Sequence, residues 1–560
     1  MSSTFFGLET ARRAINAQRY GLQTTGHNIS NANTPGYSRQ RVNLSPTTAF
    51  PNPGMNQPAI PGQIGTGVEG SSVQRVRDQF LDVQFRSRAS ESGYWHASYK
   101  GLERMEDIFN ETFKSPEEEA RSSNISKQLN QFWNAWSDLA SGKESKSVLR
   151  EEANIIAESF TSTARDLVET RGQLKEEIEA TEREINGLLK SINDINQQIR
   201  SVEPHGFVPN DLYDKQDILI DQLSNLVNIS VERSASGGKP SKVAEGAATI
   251  TMIGANGTRI DPPLVTFNNP EAVAKLSINY SDSSYGAVSE LVIENDTQNT
   301  PLGFQDFAKG EMKGLIEAFG YLENSEDDES ATGSYVWALE KLQEVAGAFA
   351  REVNAVHGIG YTDPDRNGEM NLGGEFFTFS SEGIPFTLKL NESIAANTDN
   401  IASLGVNLDA LKDKSQYLEY LKAEPVDYAA IREYLANEDH FKPGALQALT
   451  GNHTNAQLIS EIRDVKVAFG ENTKQIGSFY RDFIGELGAK GKQASQNYVN
   501  SDLLLFSIDN RRQEVSNVSM DEELTMMIQY QHAYNAAARS ITVADELLDR
   551  IINGMGVVGR

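Results

Sequence analysis

Asp363, Asp365, Asn367 and Gly368 fall at positions one, three, five and six of the run DPDRNGEMNLGGE, an order that converges side-chain oxygens on a calcium ion. The second half of the pattern fails. Position twelve, where a bidentate glutamate closes the shell, is Gly374, and Glu375 comes one residue late. The run is read as an Asx-rich turn, with Asp363, Asp365 and Asn367 as the metal-ligand candidates of the chain.

Other chemistry fares worse. Gly65, Gly67 and Gly70 spell GxGxxG, but a dinucleotide site needs a buried strand immediately before the glycines, and PAIPGQI is not one. The seven histidines, His27, His96, His205, His357, His440, His453 and His532, include no HExxH or other close pair. Acidic residues are abundant along helical patterns, where a charge run is a solvated face, and none pairs as an acid and base. No catalytic residue, cofactor or enzyme activity is therefore expected. Asn-x-Ser/Thr triplets such as Asn28-Ile29-Ser30 occur in an Asn-rich chain without a secretory signal, so glycosylation is not expected.

Over 560 residues the net charge is −27, which repels polyanions and disfavours nucleic-acid or anionic-membrane partners. The charge is uneven. From Met1 to Phe50, Glu9 stands alone against Arg12, Arg13, Arg19, Arg39 and Arg41, whereas from Arg511 to Arg560 seven acids outnumber five arginines. There is no cysteine, so stability rests on packing and assembly. No apolar run is long enough for a membrane span.

The elements that would position any site are mostly helical. Leu8, Ile15, Leu22 and Ile29 recur every seven residues, a narrow coiled-coil stripe with small or polar neighbours. That helix runs into GHNISNANTPGYSRQRV, where Pro35 cannot donate and Pro35-Gly36 reads as the centre of a type II turn. Asn28, Asn31, Asn33, Pro35, Gly36 and Tyr37 are read as a hinge motif. Pro46 to Gly70 is a Pro- and Gly-rich connection, and a helix is expected from about Val73. Phe132, Trp133 and Trp136 share a helical face and anchor a bundle. Leu149 to Val202 alternates spacings of four and three, with a stutter at Leu174, and predicts a rod helix. A second runs from Tyr335 to Val356.

Between them, runs such as ATITMI, KLSINY and ELVIEN predict a β-rich insertion over 231–305. A second mixed insertion spans 362–451, with the strand-like EFFTFS and PFTLKL and a polar helical tract from Leu408 to Ala436. In the last helix Leu524, Met527, Gln531, Tyr534, Ala538, Ile541, Asp545, Leu548 and Ile552 step by three and four, again a gapped stripe. The expected organisation is mainly α, with long rod-like helices, terminal coiled-coil helices and an inserted β-rich domain. Residues 1–38 and 513–560 form the terminal coiled-coil assembly domain, and 39–230, 306–361 and 452–512 the rod.

HNISNANTPGYSRQRV and MDEELTMMIQYQHAYNAAARSITVADELLDRIING resemble the ends of bacterial flagellar axial proteins, and specifically of the hook-associated protein 1 family. NDLYDKQDILIDQLSNLVNISV, REVNAVHGIGYT with GGEFF downstream, and LKLNESIAANTDNIA are similar to its internal segments and come in the same order. The Leu408 to Ala436 tract has no counterpart in that resemblance. The resemblance implies a structural junction protein between hook and filament, self-assembling as a homo-oligomer, with hook protein and a second junction protein as neighbours. It also implies type III export, a chaperone on the C-terminal helix, and residence at the hook-filament junction. Leu8, Ile15, Leu22, Ile29, Leu524, Met527, Tyr534, Ile541, Leu548 and Ile552 are then the expected assembly interface, completed by neighbouring helices. A cytosolic coiled-coil scaffold is the alternative; it would explain the heptads and the acidity but not the motifs at both ends.

Overall fold

The structure, a computed structural model, describes residues 4–51, 54–55, 62–111, 124–267, 273–282, 285–295, 298–323, 331–364, 369–423, 426–470 and 472–554. Helix α1 (Thr4–Ser30) leads through the Pro35 turn into an antiparallel hairpin of β1 (Gln40–Pro46) and β2 (Val68–Arg75). This hairpin occupies much of what reads in sequence as a plain connection. Helix α2 (Gln79–Phe109) starts at Asp78, whose carboxylate accepts from the Phe80 N–H, and not at Val73, which is still in the strand. Then come α3 (Ile125–Ala140), the rod helix α4 (Lys146–Val202) and α5 (Asn210–Leu226).

Helix α4 has 57 residues, which at ~1.5 Å each gives a rod of roughly 85 Å. Leu149, Ala153, Ile156, Phe160, Leu167, Leu174, Ile178, Thr181, Ile185, Ile192 and Ile199 are buried along it, as the spacing predicts. Elsewhere the buried line shifts by one residue, to Ala164, Arg171, Leu189 and Asn196. A helix turns every 3.6 residues, so a strict four-three alternation drifts across its face.

The β-rich stretch comprises β3 (Ile229–Ser234) paired with β4 (Ala247–Met252), then β5 (Lys275–Tyr280), β6 (Val288–Glu294) and β7 (Asn299–Leu302). Helix α6 (Glu311–Phe319), the short β8 (Tyr321–Leu322) and β9 (Ala331–Thr332), and the second rod helix α7 (Ser334–His357) follow. Tyr335, Leu339, Leu342, Ala346, Phe349, Val353 and Val356 are all buried on α7. No gap in packing separates strands from rod, because Ile250, Leu276 and Ile293 join the same continuous core as Leu174, Ile185 and Ile192. Phe132, Trp133 and Trp136 also lie in that core, Phe132 and Trp133 edge-on to Phe349 and Trp136 tilted against Phe376, with ring centroids about 5 to 6 Å apart.

One device recurs where a helix meets a strand edge. A side-chain amide can pair with both backbone groups of a facing residue, as a neighbouring strand would. Asn186 does this with Leu276 at 2.8 Å in each direction, and Asn196 with Ala248 at 2.8 Å. Asn354 treats Phe377 in the same way, at 2.7 and 2.8 Å. These asparagines satisfy strand edges that would otherwise be buried without partners.

The second insertion divides. The hairpin of β10 (Phe377–Ser380) and β11 (Thr387–Leu390), with the short α8 (Glu392–Ala396), packs into the rod core through Phe377, Leu388 and Ile394. The polar tract folds as α9 (Lys414–Lys422) and α10 (Tyr428–Ala436), around a separate core of Tyr361, Leu404, Leu411, Tyr417, Ile431, Tyr434 and Phe441. The chain returns through α11 (Thr454–Glu461) and the small hairpin of β12 (Val467–Phe469) and β13 (Asn472–Lys474). It ends in two long helices, α12 (Ile476–Ser516) and α13 (Met520–Gly554). Among the described residues no helix is long and apolar enough to cross a membrane.

His357 joins the rod to this outer lobe. Its ring is fully buried, with Nδ1 2.8 Å from the Gly374 carbonyl and Nε2 accepting from the Ala402 N–H at 2.9 Å. Burial pulls its pKa down to about 4, with Lys146 and Arg432 adding to the shift against the bond to Gly374. The folded ring is therefore neutral where the unfolded ring is charged. Stability is full above an unfolded pKa of 6.5 and falls as pH drops toward about 4, by roughly 3 kcal/mol in total. Urea unfolding of wild type and His357→Gln between pH 7 and 4 should show the wild type losing that increment and the variant not.

Charged contacts hold the base of the rod. Asp214, Asp217 and Asp221 line one face of α5, and Asp217 receives four guanidinium groups: Arg75 and Arg233 at 2.8 Å, Arg77 and Arg86 at 2.9 Å. Burial alone would raise its carboxyl, but Arg233, Arg77, Arg75 and Arg86 outweigh that and hold it well below the usual range. Arg75 also bonds Asp214 and Glu245, and Arg86 bonds Asp221. Arg512 from α12 reaches Asp221 and lies 3.8 Å over the Phe85 ring of α2. Asp217→Asn leaves those cations buried without their shared anion. It should lower stability by about 3–5 kcal/mol, read as a shift in denaturant midpoint.

Candidate assembly interface

Helices α1 and α13 pack against each other along most of their length. The line facing α13 is made of small residues: Ala11, Ala17, Gly21 and Thr25 are the buried positions of α1 before Asn28. A Cβ on Gly21 would sit 2.8 Å from three ring carbons of Tyr530, so the tyrosine ring lies flat on the α1 backbone. Leu8, Ile15, Leu22 and Ile29 flank this line and are half-buried.

On α13 the inward line is Glu523, Met527, Tyr530, Tyr534, Ala537, Ile541, Ala544 and Leu548, spaced by four and three. Met527, Tyr534, Ile541 and Leu548 belong to the stripe expected from sequence. Leu524, Gln531, Asp545 and Ile552 fall outside it and are exposed, Ile552 at 71%. A single heptad line is compatible with a second line on either of its sides. Tyr530 against Gly21 decides which side faces α1, and periodicity carries no record of that choice. Leu524, Ile528, Val543 and Leu547 are left exposed away from α1, and Ile551 and Ile552 are exposed near the end of the helix.

Where α1 ends, Asn28 is almost completely buried and uses its whole amide. Its Oδ1 accepts from the Gln40 N–H at 2.9 Å and from the Tyr37 hydroxyl at 2.8 Å. Its Nδ2 donates to the Gln40 carbonyl at 2.8 Å and to Glu523 at 3.1 Å. The Tyr37 phenol remains a donor because burial, then Asp211, Asp214 and Glu523, push its pKa above the usual value. Arg39 bonds Glu522 and Glu523, each at 2.7 Å, and its N–H donates to Ser516 at the end of α12. The Ser38 N–H donates to Asp214 on α5.

The turn itself follows the sequence reading. The Tyr37 N–H donates to Thr34 across Pro35 and Gly36, and Gly36 has φ +76°, the value a type II turn needs at its third residue. A side chain there would also run into Ile218. Asn31 bonds back to the His27 carbonyl and accepts from Thr34, while Asn33 and Pro35 are exposed. The six motif residues thus divide: Asn28 and Tyr37 clamp, Asn31, Pro35 and Gly36 shape the turn, and Asn33 faces solvent.

Sequence reasoning did not find Glu522, Glu523, Arg39 or the Asp214–Asp217–Asp221 face. The available signal was a three-four carboxylate spacing in NDLYDKQDILID beside Arg75, Arg77 and Arg86. Of the metal candidates, Asp363 is paired with Lys146 at 2.9 Å, where an ammonium takes the place a cation would need. Asp365 and Asn367 lie outside the described residues. Among the described residues no group of three His, Cys, Asp or Glu is placed to hold a metal ion.

The sequence model described as flagellar hook-associated protein FlgK helical domain matches residues 102–377. Those for the flagella basal body rod protein and the flagellar basal body rod FlgEFG protein C-terminal match 8–37 and 510–554. The chain is 36% identical over 569 residues to flagellar hook-associated protein 1 of Bacillus subtilis, covering all of both chains. It is 23% identical over 603 residues to the protein of that name from Salmonella typhimurium, covering 97% of this chain and 98% of the other. The structure of the flagellar hook junction protein FlgK from Burkholderia pseudomallei shares the fold with a TM-score of 0.52 at 13% identity, over 78% of this chain and all of that one.

Asn28→Ala strands the N–H and C=O of Gln40 in a buried site. It should cost about 1–3 kcal/mol in unfolding experiments and speed amide exchange at Gln40, whereas Asn33→Ala should change neither.

Proposed function

The chain belongs to the flagellar hook-associated protein 1 family and is a structural protein of the flagellum, and from that premise we propose that it joins hook to filament, self-assembling through its terminal helices. The observation that carries this is the incomplete burial of those helices. Paired with each other they still expose Phe5, Leu524, Ile528, Val543, Leu547, Ile551 and Ile552, which is more apolar surface than one helical hairpin can cover. Helices of neighbouring copies in an axial tube would cover it.

The neighbours along the axis are then hook protein on one side and a second junction protein on the other. Export through the flagellar type III route would carry the chain to that position. A chaperone holding α13 before assembly would mask the same exposed face. The role is mechanical, and catalysis has no part in it. A cytosolic scaffold would share the heptads, but it supplies no reason for likeness to a flagellar protein along the whole chain.

A deletion strain should keep hooks, lose filaments and release unpolymerised flagellin into the medium; normal filaments would refute the junction role. Alanine at Leu8, Ile15, Ile541 or Leu548 should reduce incorporation into the flagellum more than it lowers the melting temperature of the purified chain. Normal incorporation of all four variants would sink the terminal-helix reading.

A further inference from the structure

A cleft of about 390 Å³ opens between α2, α6, α7 and α12, and four aromatic rings wall it: Tyr94 and Trp95 of α2, Tyr321 of β8 and Trp337 of α7. The faces of these rings already attract ammonium groups of this chain. Lys490 of α12 holds its Nζ 3.6 Å from the centre of the Trp337 ring, and Lys309 lies 4.8 Å from that of Trp95 and 5.5 Å from that of Tyr94. A π face is negative, so a cation set over it is stabilised, and more so where water is kept away.

Glu317 of α6 brings a negative charge to the same lining. Its Oε2 accepts from the Tyr94 hydroxyl at 2.6 Å, and the nearby lysines are engaged elsewhere: Lys490 with Glu486 at 3.0 Å, Lys309 with Glu91 at 3.4 Å, and Lys313 with the Phe307 carbonyl at 2.6 Å. A half-buried carboxylate therefore lines an aromatic cleft with no cation of its own. Lys490 is 44% exposed and keeps its bond to Glu486, so it covers Trp337 from the solvent side and can swing away without disturbing the core. A primary ammonium has three donors and needs a partner such as Glu486, whereas a quaternary ammonium needs no hydrogen bond. Aromatic faces and one carboxylate suffice for the second kind. Ser334 and Gln493 also line the cleft and can bond a polar tail.

We infer that this cleft binds an organic quaternary ammonium ion of the choline type, with its methylated nitrogen among Tyr94, Trp95 and Trp337 and its charge balanced by Glu317. Lys490 is the resident competitor and must move off Trp337 for the ligand to enter. The net charge of −27 favours cations around the chain. The site lies on the rod, away from the terminal helices, and its loss would leave the junction reading standing.

The chain has four tryptophans, and Trp133 and Trp136 are buried in the rod core, so Trp95 and Trp337 are the pair whose emission a ligand in the cleft can change. The purified full-length chain is titrated with choline chloride, with sodium chloride at equal ionic strength as control. The expected result is a saturable change with choline alone, about ten-fold weaker in Trp337→Leu, weaker also in Glu317→Gln, and tighter in Lys490→Ala, which frees the indole face. Phosphocholine is titrated alongside: saturable binding of either supports the inference, and the tighter one tells a free base from a phosphate-bearing headgroup. No saturable response in the native chain or in Lys490→Ala, an exposed position whose replacement leaves the core intact, overturns it. So does an equal response to the neutral isostere of choline, with a tert-butyl group in place of trimethylammonium. Undiminished binding by both Trp337→Leu and Glu317→Gln places any site elsewhere and overturns it too.

Discussion

Everything at the base of this molecule is referred to one carboxylate. Asp217 lies between Arg75 of β2, Arg77 just before α2, Arg86 within α2 and Arg233 of β3, so β2, α2, β3 and α5 cannot shift independently. Replacing such a cluster by apolar residues of equal volume could give equal or greater stability. What apolar packing lacks is direction. A guanidinium bonded to two carboxylates tolerates little rotation, and four of them on one anion fix the angles at which two helices and two strands leave the junction. Asp217 contributes conformational specificity through those angles.

The helix asparagines answer a different constraint. A mainly α protein that carries several small sheets has more strand edges than neighbouring strands. An uncovered edge inside the molecule would leave buried backbone groups unpaired. Asn186, Asn196, Asn354 and Asn28 each meet both backbone groups of one facing residue, so a helix does the work of an edge strand. Asn28 differs from the other three in spending its remaining donor on Glu523 of α13, and so ties the end of α1 to the last helix of the chain.

Long-period features were legible in the sequence because they depend on one segment at a time. The rods at Leu149–Val202 and Tyr335–Val356, the aromatic anchor at Phe132, Trp133 and Trp136, and the turn at Pro35-Gly36 are of this kind. Features that need a partner's identity were not. The Asp214–Asp217–Asp221 face looks like a solvated helix surface until Arg75 and Arg86, more than a hundred residues upstream, are placed against it. The second line of the α13 seam depends on Gly21 offering a bare backbone to Tyr530, some five hundred residues away. The first hairpin was obscured because its strands are separated by a Pro- and Gly-rich segment that reads as connection. The start of α2 was legible in the capping residue Asp78, five residues beyond the expected Val73.

These pieces imply a division of labour between polar and apolar contacts. Inside one chain, the direction of the terminal helices is set by hydrogen bonds and ion pairs: Asn28 to Gln40 and Glu523, Arg39 to Glu522 and Glu523, Ser38 to Asp214. Tilting the helix pair against the rod means breaking several of these at once, so GHNISNANTPGYSRQRV acts as a fixed elbow within the chain. Exposed apolar side chains remain on α13 and along α2 and α12. Polar contacts weaken little when a tube is bent by small angles, provided each bond stays within one chain. Apolar contacts between chains are non-directional and can slide. Subunits built in this way would keep their internal angles while the surfaces between them adjust.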